Sequence, residues 1–405
     1  MNYKTLIILL VSFLLIGCSS NQGQSAGQPP PTAATTPEKP ESELAEEPVP
    51  KKKEPEGFKS PFSFDYPEDG VKGIYVTGPT VSVSRFDELV NLVETTELNS
   101  MVIDIKDDFG LLQYQPEEGS PFEEIGGPYI KDPAKLLKTL EEKKIYPIAR
   151  VVVFKDNHLA AKRPDLSFTE NGKVWKNGRG ESFVNPFMKE VWEYNVEIAK
   201  EAAKMGFKDI QFDYVRFPEG FEKRDSTLKY SEGDYSQVEK DNVQKRVDAV
   251  TDFVAYAKKE LEPYNVDVSV DIFGYAATLP EAPGIGQNFS KISANVDAIS
   301  SMIYPSHWTS YFGIAKPDLQ PYEIINEYAK HENKVLDALE NRPVSRPWIQ
   351  DFTASYLGAG NYKKYGKAEV EAQIRALNEN GINEFLLWNA ANRYTKGVDY
   401  TPLTP

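Results

Sequence analysis

After Pro61, short β-branched runs alternate with segments whose apolar residues recur every three or four positions. A period of two marks strands at 73–77, 100–107, 146–154, from Asp209 onward, and at 265–273, 297–304, 346–352 and 384–389. Helical spacing between them predicts helices at 84–96, 133–143, 187–205, 238–261, 322–336 and 368–378, the first with Ser84 as its capping candidate. Segment 155–186 carries the turn signals Asn171-Gly172 and Asn177-Gly178 around Val174-Trp175, and reads as a β-hairpin excursion over a barrel mouth. Eight strands, about seven intervening helices and no internal repeat specify an α/β fold, a (β/α)8 TIM barrel over 61–405. A doubly wound sheet is the alternative, but it has no reason to stop at eight.

The alternation also assigns faces. In 209–218 (DIQFDYVRFP), Ile210, Phe212 and Tyr214 share an apolar face while Gln211 and Asp213 take the other. In 265–273, Val266, Val268, Val270 and Ile272 oppose Asp267, Ser269 and Asp271. A polar face turned into a barrel is costly without a purpose, and the carboxyl ends of parallel barrel strands are where chemistry is placed. Asp213 and Asp271 would stand at equal heights on adjacent strands, about 4.8 Å apart, as a candidate catalytic pair. Arg216 would keep Asp213 ionised as nucleophile or stabiliser, while Asp271, beside that charge and under an aromatic, would keep its proton as general acid. The reverse assignment is open. So are structural roles, Asp213 pairing with Arg216 and Asp271 reaching across the lumen, for instance to Lys106.

The same rim collects Asp104, Lys106, Asp107, Arg150, Arg216, Tyr304, His307, Trp308, Gln350, Asp351, Trp388 and Asn389 as candidate substrate-binding residues. Aromatic faces stack on the C–H faces of pyranoses, amides and carboxylates match vicinal hydroxyls, and two carboxyl groups can cleave a glycosidic bond. Asp104 and Lys106 alternate on one strand face, so an internal ion pair is their simpler reading, leaving Asp107 or Asp108 to meet a sugar hydroxyl. Arg150 can bridge rim carboxylates.

Composition narrows the partners. The 405-residue chain carries a net charge of −15, which argues against nucleic acid and against an anionic membrane surface as electrostatic partners. Three histidines do not furnish a histidine-rich zinc site, although carboxylates could hold Ca2+ or Mg2+; no metal and no cofactor are expected. There is no G-x-S-x-G elbow, no P-loop, and no G-x-G-x-x-G after a strand. Cys18, the single cysteine, closes Leu15-Ile16-Gly17-Cys18 after the apolar run 6–16. That pattern resembles a bacterial lipoprotein signal peptide, 1–18, with Cys18 lipid-modified; the run is shorter than the roughly 20 residues a membrane span needs. A Pro-, Glu- and Gln-rich tether, 19–60, with no hydrophobic period, would follow. The expected location is extracytoplasmic, anchored to a bacterial membrane by lipid.

Several strings together carry a family resemblance: Val102-Ile103-Asp104-Ile105-Lys106-Asp107-Asp108 with Gly110, then Arg163-Pro164-Asp165 through Gly172, Trp175 and Asn185-Pro186, then Val191-Trp192-Glu193-Tyr194-Asn195, and above all Phe212-Asp213-Tyr214-Val215-Arg216-Phe217-Pro218. Over 71–394 the chain resembles the glycoside hydrolase-like domain of secreted and lipid-anchored bacterial proteins. The resemblance implies a TIM barrel related to glycoside hydrolases. One departure is Asn185, where that family's pattern leads us to expect an aspartate. Two functions fit: a hydrolase of a cell-envelope or extracellular polysaccharide, or a tethered carbohydrate-binding or wall-organising protein without turnover. A polysaccharide deacetylase, a third reading, would lack its usual histidine-rich metal site.

Overall fold

The structure, a computed structural model, describes residues 57–401. The signal peptide with Cys18, and the tether up to residue 56, lie outside the described residues. Among the described residues, the eight strands of the barrel alternate with seven of the helices: β1 (Lys72–Val76), α1 (Arg85–Glu94), β2 (Ser100–Lys106), α2 (Pro133–Glu142), β3 (Tyr146–Val152), α3 (Lys189–Met205), β4 (Asp209–Asp213), α4 (Asn242–Leu261), β5 (Asp267–Phe273), α5 (Phe289–Ser293), β6 (Ala298–Met302), α6 (Pro321–Leu336), β7 (Trp348–Gln350), α7 (Lys367–Asn378) and β8 (Phe385–Trp388). Neighbouring strands pair in parallel in chain order, and β8 returns to β1. The ring closes where Trp348 of β7 pairs with Met302 of β6, beside a two-residue strand, Val344–Ser345, that pairs with Ala298 and Ile299.

Local signals explain most boundaries. Asp132 caps α2 by accepting from the Lys135 N–H at 2.9 Å, with Pro133 in the first helical position. Asp241 caps α4 in the same way, so the helix starts four residues beyond where apolar spacing alone places it. Gly206, at φ 119°, ends α3 in the left-handed region that a side chain disfavours. Ser84 makes no side-chain cap on α1, contrary to expectation. The five-residue α5 is too short to leave a periodic trace. The hairpin does form: Asn171 and Gly172, both at positive φ, join Thr169–Glu170 to Lys173–Val174.

The strands' outward faces pack on the helices, for example Phe212 on Phe253 of α4, where Phe154, just past β3, joins them. The lumen is layered. Its floor is ionic: buried Arg346 donates to Asp209 and Glu384, both at 2.7 Å, and the Tyr66 hydroxyl donates to Glu384 at 2.6 Å. Above it lie Val102, Ile148, Trp348 and Leu386, with Gln211 donating to Ser300 at 3.2 Å. The top layer, at the carboxyl ends of the strands, carries the charges considered next.

Candidate active site

The expected register holds: Phe212 pairs with Val270, so Asp213 and Asp271, one residue on, stand side by side on β4 and β5. Both line a cleft of about 290 Å3 at the barrel mouth. Their surroundings differ. Asp213 Oδ2 accepts from Arg150 Nε at 2.9 Å and from its terminal nitrogen at 2.6 Å, while Oδ1 accepts from the Tyr214 N–H at 2.6 Å. Asp271 Oδ1 accepts from the Trp348 indole at 2.7 Å. Burial, and then the adjacent Asp213 charge, push the Asp271 carboxyl well above the usual carboxylate range.

Arg150 organises the site from the middle of the lumen. It reaches Asp104 at 2.8 Å and Asp108 at 2.9 Å besides Asp213. Burial raises Asp104 to about 6, against the pull of Arg150 and the Tyr75 hydroxyl, which donates to it at 2.6 Å. Asp108 is also pushed up by burial, but Arg150 and Lys155 outweigh this and hold it at about 2. From Asp108 an alternating chain of charge runs through Lys155 (3.0 Å) to Glu181 (2.8 Å), Arg179 (3.0 Å) and Glu219 (3.7 Å), ending on Arg216 (3.1 Å). The 155–186 excursion thereby closes one side of the cleft.

Aromatic rings form the rest of the wall. Trp388 stacks on Tyr75 at 4.2 Å and meets Trp348 edge-on at 5.5 Å. Tyr304 and His307 line the cleft as expected, their rings perpendicular at 4.9 Å. Trp308 lines an adjoining hollow with His307 and Phe273.

Other expectations need correction. Arg216 is not the partner of Asp213: Tyr214 takes a positive φ of 53°, which ends the strand, and Arg216 lies instead over the Tyr214 and Phe273 rings at 4.8 and 4.9 Å. The same turn brings Tyr214 into the cleft rather than onto the apolar face. Lys106 does not share a face with Asp104, because the β2–β3 register shifts between them; its ammonium meets Asp156 at 2.6 Å and Asn195 of α3 at 3.0 Å. Asp107 caps its own loop, accepting from the Phe109 and Leu111 N–H groups, and does not reach the cleft. Gln350 is buried between the Ser306 N–H and Asp318. Asp351 accepts from Thr395, and Asn389 donates to the Asp351 and Arg393 carbonyls, so both order the loop after β8. Asn185 binds the Ser231 carbonyl at 2.7 Å. Conversely, Tyr214, Glu181, Arg179, Glu219, Phe273, Met302 and Trp348 line the cleft without having been anticipated there. Phe273 was within reach of sequence reasoning, since it follows Asp271 by two on one strand face; the loop residues were not.

A family model described as "Putative glycosyl hydrolase domain" matches residues 73–394. The chain belongs to that family. Its barrel is therefore glycoside hydrolase-like. Among solved structures, the glycoside hydrolase domain of PgaB (BpsB) from Bordetella bronchiseptica is similar at 13% identity and TM-score 0.55, over 80% of this chain and 94% of that one, a likeness of fold alone. A hypothetical protein from Ruminiclostridium thermocellum ATCC 27405 is 35% identical over 49% of this chain and 96% of its own, with TM-score 0.42. The glycoside hydrolase domain of PelA from Pseudomonas aeruginosa matches at 14% identity and TM-score 0.44, over 81% and 97% of the two chains. No curated protein matches by sequence.

Proposed function

We propose that the protein hydrolyses glycosidic bonds in a cell-envelope or extracellular polysaccharide, with Asp271 as general acid and Asp213 as the nucleophile or base. The observation that carries this is the division of the neighbouring carboxyls: Asp213 held by the Arg150 cation, and Asp271 desolvated beside it. Two carboxyls in such unlike settings split the acid and base roles of glycoside hydrolysis. Adjacent strands about 4.8 Å apart favour the short carboxyl separation of a retaining mechanism, in which the second carboxylate attacks the anomeric carbon. Arg150 would hold that carboxylate aimed, and the Trp348 indole would fix the Asp271 rotamer. Trp388, Tyr304, His307 and Arg216 would bind the glycan.

A second reading has an observation of its own. Both Asp213 oxygens are already engaged by protein donors, as in a structural carboxylate, which favours a non-catalytic carbohydrate-binding or wall-organising role. The Leu15-Ile16-Gly17-Cys18 sequence supports lipid attachment at Cys18 to the outer face of a bacterial membrane, where either function would meet its glycan. A reducing-end release screen of the purified protein against envelope and exopolysaccharide preparations separates the two. New reducing ends are expected for a hydrolase, and saturable binding without them for the alternative.

A further inference from the structure

Resting on the hydrolase reading, we infer that the adjoining hollow beside the cleft is a second sugar subsite, on the leaving-group side of Asp271, and that the substrate is an extended neutral glycan cut within its chain. The hollow encloses about 510 Å3, and four residues, Glu219, Phe273, Met302 and His307, line both it and the cleft, so one groove runs through the two. Its floor is aromatic. Phe273 follows Asp271 by two residues on β5, and Tyr275, 37% exposed, stacks on it at 5.5 Å with the planes 21° apart. Trp308 lines the same hollow. The half-buried Phe273 ring two positions beyond the proposed acid, and the exposed Tyr275 ring four beyond it, are placed to stack on the sugar whose oxygen that acid protonates. They lie three strands round the barrel from Trp388, so the groove presents an aromatic surface on either side of the carboxyl pair.

Charge decides the class of glycan. Asp108 faces Arg150 and Lys155, Glu181 faces Lys155 and Arg179, Glu219 faces Arg216 and Arg179, and Asp213 faces Arg150. Each of these carboxylates is thus matched by a cation, and the groove has little to offer a polyanion or a polycation. It offers ring faces and hydrogen bonds.

The test is a titration of the full-length protein, followed by tryptophan fluorescence, with di- and hexasaccharides of N-acetylglucosamine, glucose and galactose, and with glucosamine and galacturonate hexamers as charged comparators. At least one neutral hexamer is expected to bind tenfold or more tighter than its dimer. Tyr275→Ala should abolish that gain and leave the thermal unfolding unchanged, and Tyr275→Phe should restore it. Three results would overturn the inference: no chain-length gain in any neutral series, a gain that survives Tyr275→Ala, or tighter binding by a charged hexamer. Turnover separates the two claims. If Asp271→Asn abolishes hydrolysis while Tyr275→Ala leaves the gain intact, the hydrolase reading stands and the subsite falls. If the gain depends on Tyr275 but no hydrolysis occurs, the subsite stands without the reaction.

Discussion

Arg150 shows how a single residue can hold a site together. It is 2% exposed and lies among three carboxylates, which makes it expensive to bury and more expensive to lose. Arg150→Met should cost about 3–5 kcal/mol, because Asp104 and Asp213 would be left buried without their cation. Urea unfolding checks this, and an unchanged midpoint would mean that water compensates the acids. Glu332 on α6 gives a residue-scale signature in pH. It is buried and accepts from the Ser301 and Ser345 hydroxyls, and burial raises its carboxyl from 4.5 to about 7 against the pull of those hydroxyls and of Arg342. The folded state therefore holds a proton that the unfolded chain releases above about 4.5. Its stability contribution is fully present below that pH and is lost as pH rises through about 7. Glu332→Gln should flatten the fall in stability between pH 4.5 and 7.5 and leave the protein more stable than wild type at pH 8, as read by thermal unfolding across that range.

At the scale of elements, what could be read from the sequence depended on how regular each strand is. β4 and β5 keep strict alternation, so the inward direction of Asp213 and Asp271 and their equal height followed from hydrophobic positions alone. β2 does not. Its register shift sends Lys106 to Asp156 and α3, and alternation carries no trace of a bulge. Arg150 does bridge the rim carboxylates as its position suggested, whereas the pairing of Asp213 with Arg216 failed for a related reason: a single left-handed residue, Tyr214, turns Arg216 toward Glu219, and that turn is not written in a period of two. The excursion after β3 was legible as a hairpin. That Lys155, Arg179 and Glu181 return to the rim depends on its folded path. Lys106→Met tests the reassignment. It should destabilise the protein by about 3–5 kcal/mol, since Asp156 is fully buried, while leaving glycan affinity unchanged at a temperature where the variant is folded. Weakened binding with unchanged stability would return Lys106 to the cleft.

For the whole molecule, closure of eight parallel strands puts every strand's carboxyl end at one rim. That is why residues as distant in sequence as Asp104 and Trp388 contribute to one site. The opposite end is sealed by the Arg346–Asp209–Glu384 floor and Tyr66, which directs access to the rim. The proposed lipid anchor makes a prediction at this scale. Wild-type protein should fractionate with membranes and Cys18→Ala with the soluble material; recovery of wild type wholly in the medium would remove the anchor.

The proposed division of labour between Asp213 and Asp271 is tested most directly by turnover. The measurement is kcat for wild type, Asp213→Asn and Asp271→Asn on a glycan that the wild type cleaves, with thermal unfolding of each to show that it folds. Asn preserves shape and most hydrogen bonding, so a structural carboxylate would lose some stability and little rate. A catalytic pair predicts that each variant keeps its fold and loses several orders of magnitude in kcat, on the order of 10³-fold or more. Near wild-type kcat in either folded variant would contradict it and take that carboxylate out of the mechanism.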